Sequence, residues 1–274
     1  MTKTFSHLIL VGVGLLGSSI GLAAKKRGIA GTVIGIGRNG KTLDVALQRE
    51  AVDIVTTELD LLAEINDGLA IVCTPVRSIV SNAERIAAVG GNLLISDVGS
   101  TKANICHELE RRGIRFVGAH PIAGSEKSGP EFGDADLFHN RLTVLTPTAS
   151  SRADDIERLQ HFWEALGSRV LRQAPEQHDA ILAKTSHLPH AVAATLASLI
   201  TEADRPFCGS GFADTTRIAS GPPEVWTDIF LENRLQLLAF LEVFGDRIES
   251  LKTALQDSDE AAVARFLKSA QKKP

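Results

Sequence analysis

The 274-residue sequence predicts an α/β protein: a doubly wound, mostly parallel sheet over residues 1–174, then an all-helical segment over residues 175–274. Three observations carry this prediction. Short apolar runs alternate with helical stretches, the pattern of strands buried on both faces and joined by crossover helices. The first of these runs opens directly onto a glycine-rich turn. Beyond Pro175 the strand pattern stops, and apolar residues recur at helical steps.

The elements follow in order. Residues 7–11 read as a buried parallel strand, Gly12-Val13-Gly14-Leu15-Leu16-Gly17 as a tight turn, and residues 18–27 as the helix behind it. Residues 8–24 carry no charge and could be mistaken for a signal peptide or a membrane span. The stretch is shorter than the roughly 20 apolar residues a span needs, and Gly12, Gly14, Gly17 and Gly21 interrupt it. The strand-turn-helix reading makes it the G-x-G-x-x-G fingerprint of a Rossmann-type dinucleotide site. Gly12 allows the turn, Gly14 the approach of a pyrophosphate, Gly17 close packing of helix on strand, and the helix N-terminus faces the phosphates. Leu15 and Leu16 lie in the same turn and count with the cofactor-binding residues.

A second strand is predicted at residues 32–36. An NAD site usually places Asp or Glu at its end, against the adenosine ribose; here the chain has Gly37-Arg38-Asn39. Arginine pairs with a 2′-phosphate that an acid would repel, so Arg38 and Asn39 point to NADP as the preferred cofactor, with NAD possible. Further strands are expected at 69–75, 92–97, 114–118, 141–146 and 169–171, with a helix at 153–166. Ligands of such sheets gather at the carboxyl ends of the strands. That places the turn Cys73-Thr74-Pro75 at the cofactor. Cys73 has no base beside it in sequence and reads as a packing residue rather than a nucleophile.

Composition narrows the chemistry. The chain is 44% hydrophobic and 23% charged, which excludes disorder. Its net charge of −4 gives no global attraction for nucleic acid or an anionic membrane. Three scattered cysteines suit neither a disulfide framework nor a zinc ribbon, and a reducing cytoplasm is expected. There is no tyrosine at all. A phenolic acid or base is therefore impossible, which excludes the Tyr-x-x-x-Lys dehydrogenases and leaves proton transfer to His, Lys, Cys or a carboxylate.

Two strand-end motifs stand out. In Asp97-Val98-Gly99-Ser100-Thr101-Lys102, a hydroxyl at Ser100 or Thr101 would cap the next helix. In Gly118-Ala119-His120-Pro121-Ile122-Ala123-Gly124-Ser125-Glu126, a histidine is followed by proline in a polar, glycine-rich loop. Together with Ser186-His187-Leu188-Pro189-His190, Gly211-Phe212-Ala213-Asp214-Thr215-Thr216-Arg217-Ile218-Ala219 and Trp226-Thr227-Asp228-Ile229, these motifs resemble the prephenate/arogenate dehydrogenase family over nearly the whole chain.

The resemblance implies oxidation of a cyclohexadienol carboxylate. Hydride leaves ring C4 for a nicotinamide, carbon dioxide leaves C1, and a phenol results, giving 4-hydroxyphenylpyruvate or tyrosine. His120 matches the family's catalytic histidine, and a neutral imidazole suits the removal of the C4 hydroxyl proton. Ser100 matches the serine that orients this histidine and the substrate hydroxyl, beside the cofactor. Arg217 matches the arginine that binds the substrate carboxylate, where a planar guanidinium can make two parallel hydrogen bonds. Glu126 and Asp214 match acidic partners of that arginine, and Ser125 and Trp226 fall in the same substrate-side motifs. His187 and His190 sit three apart, on one face of a predicted helix. That spacing could suit zinc, but no third ligand is evident, no metal is expected, and the family implies hydrogen bonding to substrate. One departure is Ala213, where the family often has a basic residue. Its loss tilts the expected substrate toward arogenate, whose added ammonium needs less positive charge, with prephenate and dual use left open.

Over residues 177–204 a long apolar helix is expected, kinked at Pro189. Residues 224–255 place Leu237, Leu241, Phe244, Ile248, Leu251 and Leu255 at steps of four and three, an apolar stripe that must be covered. It suits an intrachain core helix or, as the resemblance implies, a two-fold homodimer interface. The polar tail 268–274 is expected to fray, with no regulatory or mutase domain at either end and no internal repeat. Two other functions fit the sequence less well. A β-hydroxyacid dehydrogenase would need Lys184 as its catalytic lysine, without the expected glycine-rich approach. A non-catalytic redox-sensing module would have no use for His120, Ser100 and Arg217 together.

Overall fold

Alternate residues of β1 (Phe5–Val11) face opposite sides of a sheet, and both sides are covered: Leu8 and Leu10 join one buried cluster, Ile9 the other with Val11. This is why the strand reads as an unbroken apolar run. The computed structural model describes residues 5–124 and 127–271. After β1 come α1 (Leu15–Arg27), β2 (Ala30–Ile36), α2 (Gly40–Gln48), β3 (Ile54–Thr56), β4 (Gly68–Val72), α3 (Ile79–Val89), β5 (Leu94–Asp97) and α4 (Ala103–Arg111). Then follow β6 (Gly118–Pro121), β7 (Leu142–Thr146), α5 (Ala153–Ala165) and β8 (Arg169–Arg172).

Five strands form a parallel sheet in the order β3-β2-β1-β4-β5, and β6-β7-β8 form a second sheet. A single parallel bridge, Ile95 to Phe116, joins β5 to the approach to β6. β7 runs antiparallel to β6 and parallel to β8. One face packs on α1, α2 and α5 through Ile20, Leu43, Phe162 and Trp163. The other packs on α3 and α4 through Ile79, Ile86, Ile105 and Leu109. Each such side chain contributes about 1.5–3 kcal/mol on burial.

The helical region consists of α6 (Pro175–Leu182), a π-helical turn Ala183–His187, α7 (Leu188–Ser198), α8 (Ser210–Thr216), α9 (Pro223–Glu232), α10 (Arg234–Gln256) and α11 (Glu260–Ala270). It differs from the sequence reading in its breaks. Pro189 offers no N–H to the Thr185 carbonyl and its ring crowds that oxygen; the wider π turn just before it accommodates both. The helix expected to reach residue 204 stops at Ser198, and Asp204 accepts hydrogen bonds from the Thr201 amide and hydroxyl in the turn beyond. The stretch 224–255 is two helices divided at Asn233, whose side chain bonds elsewhere.

Three smaller differences remain. The strand expected at 114–118 begins at Gly118, because the segment before it makes only the one bridge while Arg115 reaches Asp155 and Asn92. The three-residue edge strand β3 was not foreseen. The tail is helical to Ala270, and residues 272–274 lie outside the described residues.

Candidate active site

The glycine turn after β1 does what its sequence requires. Gly12 has φ +99°, and a Cβ there would lie 2.9 Å from the Cys73 carbonyl oxygen. A Cβ on Gly17 would run into the Gly12 carbonyl oxygen, so helix and strand meet as closely as they do only because both residues are glycine. A cleft of about 680 Å³ opens over these turns at the carboxyl ends of β1, β2, β3 and β4. Gly12, Gly14, Arg38, Asn39, Cys73, Thr74 and Pro75 line it; Leu15, Leu16, Gly17 and Ser100 stand outside its lining. Asn39 also accepts hydrogen bonds from the Lys41 and Thr42 amides, capping α2. Burial, with Asp97 adding to it, pushes the Cys73 thiol well above its ordinary range, which suits packing and not nucleophilic attack. Among the cleft residues that were not foreseen are Arg85, and Asn82, which donates to the Thr74 hydroxyl at 3.2 Å.

Beside the cleft, β5 ends in Asp97, fully buried and ion-paired with the fully buried Lys102. The Asp97 carboxylate also accepts from the Gly99 amide at 2.8 Å and the Ala119 amide at 3.1 Å. It thereby ties the loop after β5 to the residue before His120. Removing one member of such a pair leaves an uncompensated buried charge, at a cost of about 3–5 kcal/mol.

His120 lies on β6 and is 8% exposed. Burial holds its pKa well below the ordinary histidine value, and His178, Lys102 and His187 push in the same direction. Its Nδ1 stands 2.9 Å from Nε2 of His178, and Nδ1 of His178 stands 2.8 Å from Oδ1 of Asp179. The Asp179 carboxylate accepts from the Lys102 and Ala103 amides at 2.8 and 2.9 Å. It supplies the cap of α4 that Ser100 or Thr101 was expected to give. Ser100 is half-buried in the loop and makes no hydrogen bond to His120 in this structure.

His187 connects to Asp179 through Asn233. Its Nδ2 donates to the Asp179 carbonyl at 2.8 Å and lies 3.1 Å from Nδ1 of His187. Burial lowers the His187 pKa to about 4. His190 stacks on Trp226 with ring centroids 3.5 Å apart, and Trp226 also meets His187 edge-on. Both histidines therefore meet the same tryptophan ring. Among the described residues, His187 Nε2 and His190 Nδ1 are buried polar atoms without a hydrogen-bond partner. Gly221 closes the cluster: a Cβ there would meet His190 Cε1 at 3.3 Å. The turn Arg217–Ser220 leads into it, with Arg217 and Asp214 exposed. Ser125 and Glu126 lie outside the described residues.

Among the described residues no group of three or more His, Cys, Asp or Glu side chains is placed to hold a metal, and no helix is long and apolar enough to cross a membrane.

Residues 20–172 match the model of the prephenate dehydrogenase nucleotide-binding domain, and residues 174–269 that of the prephenate dehydrogenase dimerization domain. The cyclohexadienyl dehydrogenase of Zymomonas mobilis is 33% identical, over 98% of this chain and 94% of its own. A prephenate dehydrogenase of Bacillus subtilis is 31% identical, over 99% of this chain and 76% of its own. The crystal structure of prephenate dehydrogenase from A. aeolicus, in complex with hydroxyphenyl propionate and NAD+, matches with TM-score 0.89 and 31% identity, covering 99% of this chain and 96% of that one. Synechocystis arogenate dehydrogenase matches with TM-score 0.82 and 28% identity, covering 96% of each chain.

Proposed function

The chain belongs to the prephenate dehydrogenase family, and on that premise we propose that His120 is the base that takes the proton from the C4 hydroxyl of prephenate or arogenate. The reaction is an NAD(P)-dependent oxidative decarboxylation that yields 4-hydroxyphenylpyruvate or tyrosine. The observation that carries the assignment is a buried imidazole on β6, next to the residue that Asp97 at the end of β5 holds, with burial keeping its pKa low. A neutral ring can accept the proton at physiological pH, and a buried one gains most from excluding water.

The cleft fits a dinucleotide, because Gly14 in its lining leaves open the space that a side chain would take, while Gly12 and Gly17 let strand, turn and helix pack closely beneath it. When bound, the nicotinamide cofactor takes up the hydride released from C4. Gly12 and Gly14 then let the backbone come close to the pyrophosphate, and the N-terminus of α1 faces its charge. NADP is the preferred form: Arg38 and Arg85 both line the cleft, and no acidic residue is among its described lining. His187 and His190 offer their unpartnered nitrogens to the substrate, Trp226 holds His190 in place by stacking, and Arg217 takes a carboxylate. Asp214 sits three residues before Arg217 and balances its charge. Ser100 contacts the substrate hydroxyl. Ser125 and Glu126 are assigned to the same side. Ala213 favours arogenate over prephenate by leaving out one positive charge.

The working unit is a homodimer formed by the carboxyl-terminal helices. On α10, Leu237 is buried within the chain, whereas Leu235, Leu238, Leu241, Val243, Phe244, Ile248 and Leu255 are exposed. An apolar face of that extent calls for a cover, and a two-fold copy supplies one. Steady-state rates with prephenate or arogenate, each with NAD or NADP, test the function. His120→Asn should keep cofactor affinity and lose turnover by about 10²–10⁴-fold; unchanged turnover would remove His120 from the reaction.

A further inference from the structure

We propose that His178 and Asp179 act as positioning residues that fix His120 as the tautomer with its proton on Nδ1 and its lone pair on Nε2. The proposal deepens the reading of His120 as the base and rests on it. The argument starts at the carboxylate. Asp179 accepts two backbone amides at the N-terminus of α4, a place that favours an anion and leaves Asp179 only lone pairs to offer. Nδ1 of His178, 2.8 Å from Oδ1, must therefore carry a proton. A neutral His178 then has its lone pair on Nε2, which lies 2.9 Å from Nδ1 of His120. Nδ1 of His120 must be the donor. A neutral imidazole has one N–H, so the lone pair of His120 falls on Nε2, the nitrogen left for a ligand.

The reverse arrangement sets the bare Nδ1 of His178 against a carboxylate oxygen, lone pair to lone pair. Two further contacts make the relay rigid. Asn233 donates to the Asp179 carbonyl, and the Asp97 carboxylate holds the Ala119 amide next to His120. His178, Asp179 and His120 are all buried, so water does not compete for these bonds. When His120 accepts a proton at Nε2, the imidazolium charge is shared along the two hydrogen bonds toward Asp179, with no second proton transfer required.

Two measurements test this. In ¹⁵N-histidine spectra of the intact wild-type protein without substrate, His120 should show a protonated Nδ1 and an unprotonated Nε2. A proton on Nε2 of His120, or a doubly protonated His178, overturns the relay. In kinetics, His178→Leu removes the acceptor and should lower kcat by about 100-fold or more, with KM and cofactor affinity little changed. His178→Gln restores a side-chain carbonyl acceptor and should recover roughly tenfold of that loss. A Leu variant with wild-type kcat, or a Gln variant no better than Leu, rejects the role; if the Leu variant does not fold, the wild-type spectra still decide. Absence of turnover by the wild type with either substrate would refute the proposed reaction instead, while the tautomer measurement stands.

Discussion

Acidification should unfold this protein through its buried histidines, and His187 allows the effect to be sized. Its pKa falls to about 4 in the folded chain, chiefly through burial; Asp179 pulls it up, and His178 and His190 add to the lowering. The unfolded chain takes up the proton near the ordinary value of 6.5, the folded chain only near 4. Stability from this group is therefore complete above the unfolded pKa and declines as the pH falls, by about 1.4 kcal/mol per unit. The loss amounts to about 3 kcal/mol when the folded pKa is reached. The assay is urea unfolding between about pH 7 and about pH 4 at fixed protein concentration, for wild type and His187→Gln. Gln keeps an acceptor for Asn233, and His120 and His190 remain in both proteins with the burial that chiefly lowers them, so the comparison isolates His187 apart from its small influence on His120. The variant should lose about 3 kcal/mol less on acidification. An equal loss in the two proteins would refute the assignment of the acid sensitivity to His187.

Three further outcomes are expected. Gly17→Ala should displace the first turn of α1 from the Gly12 carbonyl and abolish dinucleotide binding in a fluorescence titration; retained affinity would show that the close approach is not needed. Arg38→Asp should shift the ratio of NADP to NAD efficiency toward NAD by about tenfold or more, the effect of one lost charge-assisted contact, and an unchanged ratio would discount Arg38. Leu238→Glu puts a charge on the uncovered face of α10 and should convert dimer to monomer in sedimentation velocity, while a persistent dimer would place the interface elsewhere.

The sheet was legible in the sequence because its strands are buried on both faces. Leu69, Ala70, Ile71 and Val72 must all be apolar when alternate residues enter different clusters. β3 escaped notice because three residues at a sheet edge leave no periodic trace. The breaks in the helical region were hidden for the opposite reason. Apolar spacing continues across Asn233, and what ends the helix there is a tertiary bond to Asp179, about which local sequence is silent. Within the site, His120, His187 and His190 were reached through motifs that resemble the family's, a strand end and a pair at helical spacing. His178 and Asp179 had only their adjacency as a signal, and the strand holding His120 lies far away in the chain. Arg85 likewise meets the cleft from the face of α3, where a lone arginine looks like any solvated residue.

The capping of α4 by Asp179 bears on how this architecture can be recombined. The helix belongs to the nucleotide-binding half and its cap to the helical half, and the same carboxylate holds the histidine that contacts His120. A chimera joining residues 1–172 to a foreign helical region would inherit a complete dinucleotide cleft yet leave α4 uncapped and His120 without its neighbour. Such a hybrid should bind cofactor and do little with it. The two halves are thus separable by sequence model but not by chemistry, and divergence in either one is constrained by a residue the other supplies.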